Sequence, residues 1–474
     1  MEFGTSSYGK RQLVFKGKGY RLHYKRFNKR EEEVEYWVCV TKWCKGRLNV
    51  SRGQIIKDDT TLHTCNPEID DASMKIQEFR KNLTARVMTE TKPAPKIYNE
   101  EKKKFALAHP KYIHRLPRFR NVERSLYRAR SSKFPKLPKK REEVRLPADF
   151  VTTLRGDRFL PADDGDKDKI LVFATDESLR MLEKIENISA DGTFQFCPAL
   201  FTQLYVVLGC IQYSMEYKEY IPLVFAYLPD KKMNTYIRFL TILKSHVPSI
   251  SCQNVGMDFE LAEIGAWKAV FPSINIHLCS FHFNKSLHNG IVTRGLKQLY
   301  DEKNSKLKEY MKAIYGISFV PVHLIPSAWM EILEQAPILE GGNQEKLDDF
   351  LNYVTNTYIT NPNYPLFMWN NYGKFDFRTN NSNESFNSKL RAYDLPKHPN
   401  VFRATEVLMD IELEYFCNTK QIQNFLPRKT PKFQTEKEIR LYNKQLQLYN
   451  LDNLNLSINF FKYATFCGKL GSCK

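Results

Sequence analysis

The sequence predicts a multidomain α/β protein: a small β-rich unit, a basic and mostly helical region, and a mixed sheet wrapped by helices and interrupted by a helical insertion. Three observations predict it. From Leu13 to Asn66, short alternating stretches are punctuated by Gly17, Gly19, Gly46 and Gly53, the pattern of strands and turns. Residues 71–150 carry 22 Lys plus Arg against 9 Asp plus Glu, interleaved with Phe105, Tyr112, Phe119, Tyr127 and Phe134. From Ile170 onward, apolar stretches of strand length alternate with helical spacing. At 474 residues the chain is too long for one ordinary domain, and 42% hydrophobic content suits a folded protein. The expected divisions are 1–66, 67–169, 170–297, 298–371, 372–410 and 411–474.

In order, the β-rich start has too few residues to bury a self-sufficient core, so a metal staple is physically expected. The basic region begins with a helix over Met74 to Thr89, after which Pro93, Pro95, Pro110, Pro117, Pro135 and Pro138 break it into short pieces. The main domain opens with a strand at Ile170 to Phe173 and a helix from Glu177 to Ile185. Strands follow at Ile188 to Phe194, Leu204 to Gln212 and Tyr220 to Leu228. A helix with Tyr236, Leu240, Leu243 and Val247 on one face comes next. Then come a strand ending near Met257, a helix with Leu261, Ile264 and Val270, a strand at Ile274 to Cys279 and a helix from His282. That order is the one expected of an RNase H-like core. The insertion is anchored by Tyr310, Ile314 and Ile317 and by Met330, Ile332 and Leu333. The last region is anchored by Val407, Ile411 and Leu413, then Ile439, Tyr442 and Leu446.

A formal net charge of +19 calls for a polyanionic partner, with nucleic acid the first candidate. No run of about 18 apolar residues and no basic amphipathic anchor points to a membrane. Met1 to Lys10 lacks the apolar core of a signal peptide, so a soluble intracellular protein is expected. Pro138-Lys-Lys-Arg141 resembles a nuclear import signal. The ten cysteines are too sparse for a disulfide scaffold.

Cys39, Cys44, His63 and Cys65 have the spacing C-x4-C, 18 residues, H-x-C, and soft thiolates with an imidazole suit a tetrahedral Zn²⁺. With Phe15, Gly17, Tyr20 and Trp37, this stretch resembles the FLYWCH zinc finger and its WRKY-like relatives, with Cys65 where FLYWCH members have histidine. The resemblance implies a structural metal and a DNA-reading surface. Lys42, Lys45, Arg47 and Arg52 are the candidate contacts, though such charges are ordinarily just solvated.

In the main domain Asp191 ends the first of three successive strands and Asp258 follows the fourth. Neighbouring carboxylates at one sheet edge would hold hard cations such as Mg²⁺ or Mn²⁺. Singly, an Asp before Gly is ordinarily a turn former, and an Asp before a helix a cap. Together, Asp191-Gly-Thr-Phe, Met257-Asp258-Phe-Glu, Leu278-Cys279-Ser-Phe-His282 and Thr379-Asn-Asn-Ser-Asn-Glu384-Ser-Phe-Asn resemble the signature of Mutator-like transposases, in order, over residues 170–410. The resemblance implies a DDE catalytic core with Asp191, Asp258 and Glu384 as its acids, two divalent ions, and roles beside the active site for Cys279 and His282. Glu260 and Glu263 are rivals for the third acid. Asn380, Asn381 or Ser382 would cap the helix of Glu384. The implied partners are double-stranded DNA, as terminal inverted repeats and target, and a second copy of the chain. The alternatives are a non-cleaving DNA-binding or chromatin protein derived from such an enzyme, and a nuclease acting on RNA in hybrids.

Overall fold

The computed structural model describes residues 2–5, 11–16, 18–59, 62–65, 67–132, 136–214, 217–374, 381–393, 395–422, 432–453 and 457–471. Two compact units make up the chain, Met1–Leu137 and Pro138–Lys474.

The first unit opens with six antiparallel strands in sequence order: β1 (Glu2–Thr5), β2 (Arg11–Phe15), β3 (Lys18–Phe27), β4 (Glu33–Cys39), β5 (Arg47–Ser51) and β6 (Gln54–Asp58). Alternation along β4 sends Glu35, Trp37 and Cys39 to one face, where Leu13, Tyr20, Leu48 and Val50 pack with Trp37. Arg52 and Gly53 turn β5 into β6 with positive φ at both residues, as a tight hairpin requires. Three helices follow, α1 (Pro67–Thr89), α2 (Ala94–Ala108) and α3 (Phe119–Ser131), around Phe79, Leu83, Val87, Ile97, Phe105, Val122 and Leu126. The prolines mark the breaks between elements, as the sequence suggested, although two of the pieces are helices of 15 and 13 residues. Pro93 and Pro95 sit at the start of α2, where a missing N–H leaves no hydrogen bond unmade. Part of the basic charge is spent internally. Arg86 pairs with Glu90, Glu100 and Glu101, and Arg130 donates to the carbonyls of Val87, Glu90 and Lys92 at the end of α1. Phe134 lies outside the described residues.

The second unit is built on a seven-stranded mixed sheet. Its elements are β7 (Ala162–Asp164), β8 (Ile170–Phe173), α4 (Asp176–Lys184), β9 (Asn187–Thr193), β10 (Gln203–Ser214), β11 (Tyr217–Leu228), α5 (Met233–His246), β12 (Asn254–Met257), α6 (Leu261–Val270), β13 (Asn275–Leu278) and α7 (Ser280–Thr293). The strand order is β13-β12-β9-β10-β11-β8-β7; β12 and β13 run parallel to β9, and the other pairings are antiparallel. The unit begins at Pro138, so residues 138–169, read from the sequence with the basic region, supply β7 to the sheet. Arg141, in the basic run after Pro138, donates to the Pro229 carbonyl at 2.8 Å.

Helices α8 (Lys297–Asp301), α9 (Lys306–Gly316), α10 (Ile325–Glu334), α11 (Asn343–Val354) and α12 (Leu366–Trp369) form the expected helical stretch between β13 and α13 (Asn381–Ala392). After them come α14 (Val401–Ile422), α15 (Lys432–Asn453) and α16 (Phe460–Gly471). Helix α16 crosses α9 backbone to backbone. A Cβ on Gly316 would stand 1.8 Å from the Ala464 carbonyl oxygen, and one on Gly468 would stand 1.9 Å from that of Lys312.

Some expected apolar anchors point outward instead. Leu261, Met330, Ile439, Tyr442 and Leu446 are exposed, while Ile264 and Trp267, Trp329 and Ile332, and Leu441 and Leu448 take the interior positions. Ile264, Val270 and Ile332 are buried as expected, and the whole expected stripe faces outward only in α15, whose apolar residues lie on more than one face. No helix among the described residues is long and apolar enough to cross a membrane.

Candidate active site and metal centre

In the first unit, the four sequence-predicted ligands come together. Cys39 ends β4, Cys44 lies in the loop before β5, and His63 and Cys65 follow β6; one ligand atom from each lies within 4.8 Å of the others. His63 Nδ1 is 3.1 Å from Cys44 Sγ and 3.3 Å from Cys65 Sγ, and Cys39 Sγ is 3.9 Å from Cys65 Sγ. A tetrahedron with bonds of about 2.0–2.3 Å has edges of about 3.3–3.8 Å, so the set can hold a structural zinc. The other ring nitrogen, Nε2, lies 2.7 Å from the hydroxyl of fully buried Tyr20, which fixes which nitrogen faces the ligands. Gly46 lies under the imidazole, where a Cβ would come 2.3 Å from His63 Cε1. Burial pushes the Cys44 thiol up, but N–H groups of Gly46 and Thr64, with Cys65 and Cys39 beside it, bring it down to about 6. Lys42, Lys45, Arg47 and Arg52 are all exposed, and Arg52 pairs with Glu32 at 3.0 Å. Sequence reasoning missed Trp43, 86% exposed with Lys42 over its ring. Its position inside the C-x4-C loop was the available signal.

In the second unit, strand register does the positioning. Gly256 of β12 pairs with Ser189 of β9, so Asp258 and Asp191, each two residues further on, stand level at the carboxyl ends of neighbouring parallel strands. Met257 pairs with Leu278, which places Cys279 beside Asp258, and the Cys279 N–H donates to the Met257 carbonyl at 3.0 Å. His282, in the first turn of α7, brings Nδ1 to 2.9 Å from Asp258 Oδ1. Asp258, Cys279 and His282 form a second cluster with ligand atoms within 4.8 Å of one another.

The electrostatics follow from this crowding. Burial, reinforced by the negative charge of Asp258, pushes the Asp191 carboxyl up to about 7, opposed by a hydrogen bond from Asn387. Burial lowers the basicity of His282, but Asp258 and Cys279 outweigh it and carry the imidazole up to about 10. Gly192 admits the close approach of Gln203, whose Oε1 would stand 2.1 Å from a Cβ there and whose Nε2 donates to Tyr236.

A scan against protein-family models finds no match, and no curated protein matches the chain.

Glu384 lies exposed in the first turn of α13 and, with Asp191, falls outside both ligand clusters among the described residues. Its helix is nevertheless tied to β9. Asn383 Nδ2 donates to Ser189 Oγ at 2.6 Å, and Asn387 Nδ2 to Asp191 Oδ2 at 3.2 Å. Asn387 was legible in principle, being three residues after Glu384 and so on the same helical face. The helix begins at Asn381, so Asn381 and Ser382 lie inside it; Asn380 lies outside the described residues. The rival acids are both engaged elsewhere. Glu260 pairs with Lys231 at 3.0 Å and accepts from Tyr236 at 2.9 Å. Glu263 is buried and accepts from Tyr205 at 2.5 Å; burial holds its carboxyl well above the usual range.

Proposed function

We propose that this chain is a cut-and-paste DNA transposase of the Mutator-like class, with an RNase H-like core whose acids are Asp191, Asp258 and Glu384. One observation carries the reading: Asp191 and Asp258 stand level on adjacent parallel strands, close enough for the charge of one to oppose ionisation of the other. Carboxylates so arranged call for cations between them, and an all-oxygen donor set suits Mg²⁺ or Mn²⁺. Such ions, when bound, would supply charge neutralisation at the phosphate and orient the attacking and leaving oxygens. Three successive antiparallel strands, with the fourth and fifth added in parallel beyond the first, also support an RNase H-like core.

The chain's own residues have definable parts in this reading. Asn387 orients Asp191 through its Oδ2, and Asn383 seats α13, the bearer of Glu384, on β9. His282 restrains Asp258 from the β13 side. Water would be the nucleophile for cleavage and a DNA 3′-hydroxyl the nucleophile for joining. The zinc finger, through Lys42, Lys45, Arg47 and Arg52, and the basic helices would bind terminal inverted repeats. The net charge of +19 favours such a partner. Pairing two ends implies at least a dimer, working in the nucleus.

The test is cleavage of labelled DNA carrying the element's terminal repeats, with Mg²⁺ or Mn²⁺ or with chelator. Cutting at the repeat boundary is expected from the wild type and not from Asp191→Ala. A second reading, a non-cleaving DNA-binding descendant, is favoured by the exposed position of Glu384 outside both ligand clusters. Binding without cutting would select it.

A further inference from the structure

We propose that Asp258, Cys279 and His282 form a second binding site for a thiophilic divalent cation of the zinc type, distinct in chemistry from an all-carboxylate magnesium site. The site is built by the fold rather than by chance proximity. Parallel pairing of β12 with β13 sets Asp258 beside Cys279, and the start of α7 carries His282 back over both. A Cys at the cap position and a His three residues on project from the same side of the first turn.

The donor set is that of a three-ligand metal site with an open position. All three ligand atoms lie within 4.8 Å of one another. Cys279 is 3% exposed, whereas the side chains of Asp258 and His282 are 30% and 28% exposed. The thiol is thus the sealed floor, and the carboxylate and imidazole flank an opening from which water or a ligand oxygen would complete four-coordination. His282 Nδ1 is shut off from solvent and faces the Asp258 oxygen at 2.9 Å without a well-directed hydrogen bond, so an ion bound between the ligands would take the place of a proton on that nitrogen. A thiolate and a carboxylate together neutralise a dication. A thiolate in the set disfavours Mg²⁺ and selects Zn²⁺, Co²⁺ or Cd²⁺. The site borrows Asp258 from the transposase reading but needs no phosphoryl-transfer chemistry to bind its ion.

The probe is Co²⁺ loaded into the metal-stripped full chain, read by its thiolate-to-cobalt charge-transfer absorption, to which sites made only of carboxylates are silent. Wild type is expected to take up two thiolate-bound ions per chain, one in each cluster. Cys279→Ser should remove about a quarter of the absorption, one thiolate of the four in the two clusters, and His282→Ala should do the same with the thiol still present. Cys44→Ser should leave the Cys279 component standing. Circular dichroism of each variant checks that the sheet is intact, and the milder Asp258→Asn provides a third reading. Full absorption in both Cys279→Ser and His282→Ala, or a wild type that loads the Cys39 cluster alone, overturns the proposal and leaves an Asp258–His282 ion pair. Asp191→Asn should leave the absorption unchanged while abolishing cleavage, so failure of the transposase reading and failure of this site are separately visible.

Discussion

The six-stranded unit at the start of the chain closes over five fully buried side chains, Leu13, Tyr20, Trp37, Leu48 and Val50, whereas the sheet of the second unit is packed by helices into one continuous core running from Ile170 to Cys467. Five such side chains contribute roughly 1.5–3 kcal/mol each, an amount that conformational entropy readily offsets. The metal-capable ligands Cys39, Cys44, His63 and Cys65 bring together the loop after β4 and the segment after β6, the ends that the small core leaves untied. The second unit needs no such staple, and its metal-capable groups instead stand at strand ends, where they are open to solvent on one side. The same residue types thus tie chain ends together in one unit and stand partly open to solvent at strand ends in the other.

Metal removal should break this comparison most widely. With binding energies of about 10–16 kcal/mol typical of structural zinc, chelation or Cys44→Ala is expected to abolish the near-ultraviolet signal of buried Trp37 while the second unit still melts cooperatively. A shared melting loss in both units would show the contrast to be false.

The next effect belongs to the second unit alone. Gly316→Ala and Gly468→Ala each drive a methyl into a backbone carbonyl, and overpacking of this kind costs about 1–3 kcal/mol. Denaturant unfolding should shift for the second unit and leave the zinc affinity of the first unchanged.

Tyr20→Phe sharpens the first half of the comparison. It removes the hydroxyl that orients His63 and should weaken zinc binding by about 10–100-fold in a competition titration. An unchanged affinity would mean that the ligands are positioned by the backbone alone.

The smallest effect is a pH dependence confined to the second unit. Burial, with Lys374 nearby, pulls His277 down to about 4, so the folded state keeps it neutral while the unfolded chain protonates near the ordinary 6.5. At this residue the unfolded state then binds more protons, so the contribution of His277 to stability is full above about pH 6.5 and falls as pH drops toward 4. Between pH 7 and 5.5 that contribution should fall by roughly 1 kcal/mol, read as the difference between wild type and His277→Gln, because Asp191 and His282 titrate in the same unit with the opposite sign.

The strands of the main sheet were legible from sequence because each is a short apolar run bounded by turn residues, and their ends fall within a few residues of those expected. The cluster of Cys39, Cys44, His63 and Cys65 was legible because thiols and an imidazole at close spacing have few uses other than holding a metal. Asp191 and Asp258 were legible as a pair through motif order, and register supplies what order could not: that they stand level. The exposed stripe of Ile439, Tyr442 and Leu446 was misread because periodicity reports that a helix has an apolar face, not which neighbour covers it. The membership of β7 in the sheet and the crossing of α16 over α9 join residues far apart in sequence. Local pattern carries no information about either.

That crossing also has a consequence for synthesis. Gly316 finds its partner about 150 residues later, at Gly468, so during translation the core around α9 emerges with one wall missing. Until α16 has left the ribosome, Tyr310, Met311 and Ile314 have no complete cover, and the nascent chain presents an apolar groove that a chaperone can occupy in its place. A ribosome stalled before Phe460 would therefore hold a chain whose sheet can form but whose insertion cannot close.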